Sequence, residues 1–277
     1  MDPLKFQPVF QKRLWGGNRL RTILEKPVPE ELAGEGVGES WEVADLPGGT
    51  VKADSTGAEA DGSLASVVTQ GPHRGQSLRE LLHNEKTRRE IMGPGALLGG
   101  ENGYFPLLVK FLDAQQDLSV QVHPDAAYCA KHAGAAVKSE AWFVLHAEPG
   151  AKIYKGLRRG VTREMFKMAL EAGAVDALLN DVPARAGDCH YLPSGTIHAL
   201  GAGVLAAEVQ TPSDTTYRVF DWNRLGADGK GRQLHVEQAM ECIRFGEDPN
   251  VKTTMTAVAD GQRVVANEFF TLDRLSV

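Results

Sequence analysis

From residue 105 onward this chain is a succession of short apolar runs cut by turn residues, and that texture restricts what it can fold into. FPLLVKFLDA (105–114), LSVQVH (118–123), AWFVLHA (141–147), AKIYKGL (151–157), CHYL (189–192), VLAAEVQ (204–210) and TTYRVFDW (215–222) are strand-length and rich in β-branched and aromatic residues. Many short strands separated by turns predict an all-β barrel or jelly roll. AWFVLHA and AKIYKGL read as a strand pair turning at Glu148, Pro149 and Gly150. Helices interrupt the strands. Ser77, with Leu78, Leu81 and Leu82 after it and Glu80 three residues on, fits a capping box, and that helix should fade before Gly93, Pro94 and Gly95. Pro124, Asp125 and Ala126 can open a short helix to about residue 132. A helical pattern follows Thr162, with Met165, Phe166 and Leu170 at core spacing, and a second piece runs to Leu179. Leu234–Ile243 is a last amphipathic helix, and 251–274 returns to strand. Near the start, 4–11 and GESWEVAD (38–45) read as strands, Trp15-Gly16-Gly17 as a turn, and 25–38 and 47–63 as loops.

Within these runs, several side chains can converge. Gln121 and His123 lie two apart in LSVQVHPD, so a strand points both to one face, with Ser119 beside them. Glu140 opens a later run, and His198 closes GDCHYLPSGTIH (187–198). Two imidazoles, a carboxylate and an amide oxygen make an N/O shell suited to zinc or a similar divalent ion with a position left open. A lone strand histidine is more often structural; the set of four favours the metal. Pro193 and Gly195 form the turn that aims His198. Lys138 is two residues before Glu140, hence on its face, where a nearby metal and arginine would push the ammonium pKa down. The bland alternative is a solvated lysine. Arg218 shares a strand face with Thr216 and Phe220. Trp15, Trp41 and Trp222 read as core aromatics.

These residues also carry a resemblance. Gly187–His198 is similar to the second cupin motif at each fixed position. Together with RLWGG (13–17), GESWEVAD, FPLLVKFLDAQQDLSVQVHPD (105–125), KSEAW (138–142) and EVQTPSDTTYRVFDW (208–222), it resembles the short bacterial form of the type I phosphomannose isomerases, in the family's order. The resemblance implies a mainly β cupin fold of jelly-roll barrels with inserted helices. It implies a metal-binding catalytic cupin region over 1–235 and a smaller cupin-like region over 236–277; members usually run some tens of residues past a point like Val277, so either the second barrel is abbreviated or the sequence in hand is short. It assigns Gln121, His123, Glu140 and His198 to one zinc ion per chain, another divalent metal being an alternative. Commoner cupins carry His-x-His where this chain has Gln-x-His, as these isomerases do. The family's KxE lysine corresponds to Lys138. Arg218, ten residues past Glu208, matches an arginine treated as catalytic. Glu208 is then a second carboxylate for proton handling or for orienting Arg218, and Ser119 a substrate ligand.

The implied reaction interconverts mannose 6-phosphate and fructose 6-phosphate. The sugar opens, and a proton passes between C2 and C1 through a cis-enediol stabilised by the metal as Lewis acid. Lys138, Glu208 and a metal-bound water are the candidates for removing the C2 proton. Two other classes compete. A metal-dependent cupin oxygenase would use a His-rich iron shell, against which Gln121 speaks. A non-catalytic sugar-binding cupin would lack a ligand or the Lys/Arg pair.

Composition narrows the setting. The 277 residues carry 30 basic and 36 acidic side chains, a net charge of −6, which disfavours nucleic acid and anionic membranes as partners. A phosphorylated substrate would need a local basic cluster. At 42% hydrophobic the core needs no staples, and Cys129, Cys189 and Cys242 are scattered, as in a reducing compartment. The N-terminal residues contain no apolar signal region, and no run approaches the roughly 18 apolar residues of a membrane span. The expectation is a cytoplasmic monomer or homodimer acting on a small hexose phosphate.

Overall fold

The computed structural model describes residues 2–32, 36–48, 62–93, 103–225, 229–247, 256–258 and 261–275. They fall into two compact units, residues 1–113 with 207–214, and residues 114–206 with 215–277.

In the first unit, β1 (Val9–Gly17), β2 (Val37–Val43) and β5 (Leu108–Ala114) form antiparallel neighbours in that order, and β3 (Asp45–Leu46) pairs with β4 (Leu64–Ala65). Trp41, Ala44, Leu46, Leu64 and Leu108 bury their side chains together against Val9. Trp15 is buried too, so both tryptophans sit in the core as the sequence implied. Helix α1 (Arg19–Thr22) follows β1. Helices α2 (Leu78–His83) and α3 (Glu85–Met92) divide the single helix read from the sequence. The capping box is present. The Ser77 N–H donates to Glu80 Oε2 at 2.6 Å, and the Glu80 N–H donates to Ser77 Oγ at 3.2 Å. Asn84, in extended conformation, ends α2 and caps α3, and Gly93 at φ +80° ends α3. Pro94, Gly95 and most of the 47–63 loop lie outside the described residues.

Gly16 and Gly17 correct the reading of a turn. They continue β1, and neither is among the positive-φ glycines. Their glycine character answers close approach instead. A Cβ on Gly16 would stand 2.4 Å from the Gly38 nitrogen, and one on Gly17 would meet Asp113 Oδ2 at 2.7 Å. Asp113 needs that space, because it holds the Arg19 guanidinium at 2.5 Å and the Arg19 N–H at 2.6 Å.

The remaining elements are β6 (Val120–Val122), α4 (Ala126–Cys129), β7 (Glu140–Ala147), β8 (Lys152–Leu157), α5 (Arg163–Glu171), β9 (Leu179–Pro183), β10 (Cys189–Leu192), β11 (His198–Leu200), β12 (Val204–Gln210), β13 (Tyr217–Phe220), α6 (Val236–Cys242), β14 (Thr256–Val258), β15 (Gly261–Ala266) and β16 (Thr271–Leu275). Five strands form one sheet in the order β13-β6-β11-β8-β9, β7 pairs with β10, and β14-β15-β16 make a small meander. Val120, Val122 and Val219 point from one face of the five-stranded sheet into a core with Phe166, Ala239 and Met240. The alternate residues Gln121 and Arg218 must then face the other way. Within α5, Phe166 is fully buried and Leu170 packs on the core, but Met165 is 45% exposed, so the core stripe is narrower than the sequence suggested.

One pairing differs from the sequence reading. β7 and β8 are consecutive across Glu148–Gly150 but do not pair with each other; β7 lies beside β10, and β8 lies between β11 and β9. Apolar periodicity reports which face of a strand is buried, while pairing depends on which distant backbone presents matching donors and acceptors. Consecutive strands in different layers are the jelly-roll habit.

Gly16→Ala is expected to destabilise the protein by about 1–3 kcal/mol, because its Cβ meets backbone that cannot swing aside. Ser77→Ala should cost about 1 kcal/mol through the lost cap. Urea midpoints of the two variants against the parent check both.

Candidate metal centre

The second unit brings three of the expected ligands into one buried cluster. Gln121 is the central residue of β6, and His123 follows the strand directly. Glu140 is the first residue of β7 and His198 the first of β11. His198 and Arg218 both stand opposite Gln121 on the neighbouring strands, so all three project from one face of the sheet. The turn before β11 sets the position of His198. The Thr196 N–H donates to the Pro193 C=O at 3.0 Å, with Gly195 at φ +84° in the third position, where glycine avoids a Cβ penalty. The Gly195 N–H donates to the His123 C=O at 2.9 Å, tying that turn to the other imidazole.

Serine side chains fasten the carboxylate to the same turn. The Ser194 hydroxyl donates to the Lys138 C=O at 2.7 Å, and the Ser194 N–H donates to Ser139 Oγ at 3.1 Å. The start of β7 is thereby locked to the second residue of the turn before His198. Sequence reading missed Ser139 and Ser194. The one available signal was their adjacency to Glu140 and Pro193.

The electrostatics follow from the hydrogen bonds. His123 Nδ1 faces the Thr215 C=O at 3.2 Å, and His198 Nδ1 faces the Thr196 C=O at 2.8 Å. A carbonyl can only accept, so each Nδ1 carries a proton, and in the neutral ring that tautomer leaves Nε2 with a lone pair. Those lone pairs converge on Glu140. His123 Nε2 is 3.2 Å from Glu140 Oε2, and His198 Nε2 is 3.1 Å from Oε1. Among the described residues, His123 Nε2 and Glu140 Oε1 have no partner in hydrogen-bonding geometry. Burial, and after it the Lys138 ammonium, bring the His123 pKa down to about 3, so the imidazole is neutral. Burial alone would raise Glu140, but Lys138, then His123, hold it well below the usual carboxylate range. Lys138 Nζ lies 2.9 Å from Glu140 Oε2.

Lone pairs aimed at an ionised carboxylate repel unless a cation lies among them. Donor atoms about 2.0–2.2 Å from one tetrahedral ion stand about 3.3 Å apart, close to the separations seen here. The His123, Glu140 and His198 ligand atoms all lie within 4.8 Å of one another. Each imidazole is oriented through its far nitrogen by a backbone carbonyl, the usual support of a metal-binding histidine. The donor set therefore fits a divalent ion. Gln121 stands beside it with its amide nitrogen 3.4 Å from His198 Nε2. A half-turn of that amide would present Oε1 as a fourth donor.

The other residues singled out from the sequence have these places. Arg218 Nε–H donates to Ser119 Oγ at 3.1 Å, so both belong to the same sheet face as Gln121. Glu208 lies in the first unit, buried, 3.5 Å from Lys110 Nζ. Trp222 is half-buried, its Nε1–H donating to the Leu118 C=O at 2.7 Å.

Residues 4–141 match the family described as phosphomannose isomerase type I, catalytic domain. The chain is 37% identical over 273 residues to the mannose-6-phosphate isomerase of Streptococcus mutans, covering 98% of this chain and 78% of that one. It is similar to the crystal structure of the Bacillus subtilis mannose 6-phosphate isomerase, with a TM-score of 0.79, 30% identity, and 98% and 79% of the two chains covered. A zinc-bound holo mannose 6-phosphate isomerase shares the fold at a TM-score of 0.61 and 18% identity, with 95% and 80% covered. The mainly β cupin fold expected from the sequence is thus the fold observed.

For the metal-free protein, stability should fall as the pH drops from 6.5 towards 3. Over that window the unfolded chain protonates His123 and the folded chain does not; depressed Glu140 acts in the same direction lower down. The slope from His123 approaches roughly 1.4 kcal/mol per pH unit, readable from urea midpoints between pH 7.5 and 4.5. Separately, His198→Ala should weaken divalent-metal binding by more than the roughly 10–100-fold that a merely supporting residue costs, measured by competition with a chromogenic chelator.

Proposed function

We propose, for a chain that belongs to the type I phosphomannose isomerase family and interconverts mannose 6-phosphate with fructose 6-phosphate, that the chemistry is carried by the buried His–Glu–His cluster and the residues around it. The observation that carries this reading is the convergence of two imidazole Nε2 atoms on an ionised, fully buried carboxylate. Gln121, His123, Glu140 and His198 would hold one zinc ion, a choice supported by the donor chemistry and by the zinc-bound relative. Bound there, zinc supplies Lewis acidity towards the neighbouring C1 and C2 oxygens of the open sugar.

The protein's own side chains have separable tasks. The C2 hydrogen is next to a carbonyl and weakly acidic, so its removal needs a positioned base and a stabilised anion. Arg218 stabilises the negative charge that develops on the enediolate, and its guanidinium does so without any proton to lose. Ser119 holds Arg218 in place and offers its hydroxyl to sugar oxygens. Lys138 and Glu208 are the groups proposed to move the proton between C2 and C1. Lys138 is favoured by its contact with Glu140, and Glu208 by its place ten residues before Arg218 in the family's pattern. The small β14-β15-β16 meander is read as the beginning of the second cupin-like region, over 236–277. The protein is read as cytoplasmic, a monomer or homodimer, without nucleic acid or membrane partners. A net charge of −6 disfavours nucleic acid and anionic membranes as partners, and no helix among the described residues is long and apolar enough to cross a membrane.

In a coupled assay of mannose 6-phosphate conversion, chelation should abolish turnover and added zinc should restore it. Activity that survives complete metal removal would overturn the metal reading. Arg218→Ala should retain zinc but lose about 10²–10³ in kcat. A loss of only a few-fold would remove it from the mechanism.

A further inference from the structure

Arg218 is held by more than Ser119. Its Nη1–H donates to the Gln233 C=O at 3.0 Å. These two acceptors, a hydroxyl and a carbonyl, orient the guanidinium. Gln233 belongs to the segment that returns to β13 ahead of α6. That segment is fastened by Arg232, whose Nε–H and Nη2–H donate to the two Asp221 oxygens at 2.7 and 2.6 Å. Two residues past Gln233, His235 pairs with Arg218 itself. The His235 N–H donates to the Arg218 C=O at 2.7 Å, and the Arg218 N–H donates to His235 Nδ1 at 3.3 Å. The N–H and C=O of one strand residue point to the same side. Arg218 is therefore clasped by His235 on one edge and faces Gln121 of β6 on the other. The ring takes the part that a further strand would play. Its centroid lies 6.1 Å from that of Tyr217, and the residue sits at the N-cap of α6.

We infer that His235 is a positioning residue for Arg218: through Nδ1 it fixes the backbone from which the guanidinium reaches the sugar. The inference rests on the reading of Arg218 given above. A charge that must meet an enediolate gains from a fixed direction, and a misplacement of about 1 Å can cost about 10²-fold in rate. The sugar need not touch His235 for this.

The test compares His235→Phe, which keeps a ring against Tyr217 but lacks the acceptor, with His235→Asn, whose Oδ1 can take the place of Nδ1. With His235→Phe, kcat should fall about 10–100-fold. KM should stay within about threefold and bound zinc should be unchanged. His235→Asn should recover most of that loss. In the Arg218→Ala background His235→Phe should cause little further loss, because the residue acts through the arginine. If the Phe variant does not fold, His235→Ala replaces it in the same comparison. Wild-type kcat in His235→Phe, or an Asn variant as slow as the Phe variant, would overturn the inference. So would a full additional loss in the double variant. An Arg218→Ala enzyme that turns over normally would sink the reading of Arg218 and this inference with it. A slow Arg218→Ala beside a fast His235→Phe would remove only His235.

Discussion

A carboxylate shut away from water must find positive charge inside the protein, and Glu140 is fully buried. Much of the second unit's local detail serves that requirement. The Lys138 ammonium answers part of it. The rest falls to whatever the two Nε2 atoms and the carboxylate hold between them. Each imidazole is kept in the necessary tautomer by a backbone carbonyl, from Thr215 or Thr196, and those carbonyls are placed by loops rather than strands. The cluster therefore depends on turn chemistry as much as on the sheet.

The sheet provides what the turns cannot, a fixed lateral spacing. Cross-strand neighbours stand about 4.5–5.5 Å apart at Cβ. By that rule, His198 and Arg218 flank Gln121 on adjacent strands and share its face. One row across the sheet thus carries an imidazole, an amide and a permanent cation. The opposite face of β6 and β13 is apolar, because Val120, Val122 and Val219 bury there with Phe166 and Met240. A register slip of one residue would send the polar row into that core and the valines towards the His–Glu–His cluster. The core thus protects the chemistry by making the alternative arrangement costly.

Legibility in the sequence followed the range of the interaction. The capping box at Ser77 and Glu80 could be read because it spans three residues and uses a fixed pattern of donors. Gln121 and His123 could be grouped because strand period two is local. Glu140 and His198 joined them through the ordered family pattern, and the fold brings His123, Glu140 and His198 within 4.8 Å of one another. Gly16 and Gly17 were misread because a glycine pair looks the same whether a turn or a neighbouring backbone requires it. Only Gly36, Gly38 and Asp113, distant along the chain, reveal which. The β7–β8 hairpin failed for a similar reason, since a Glu-Pro-Gly link serves equally well between layers.

By itself the sequence determined the strand texture, the metal-donor chemistry and the family, because these depend on residue type, local period and order. The tertiary structure alone decided which strands are neighbours, which carbonyls hold the imidazoles, and that Ser139 with Ser194 and His235 with Gln233 support the cluster and the arginine. Those contacts join residues with no pattern between them. Their geometry exists only once the backbone has closed over long loops and the buried polar groups have had to find partners.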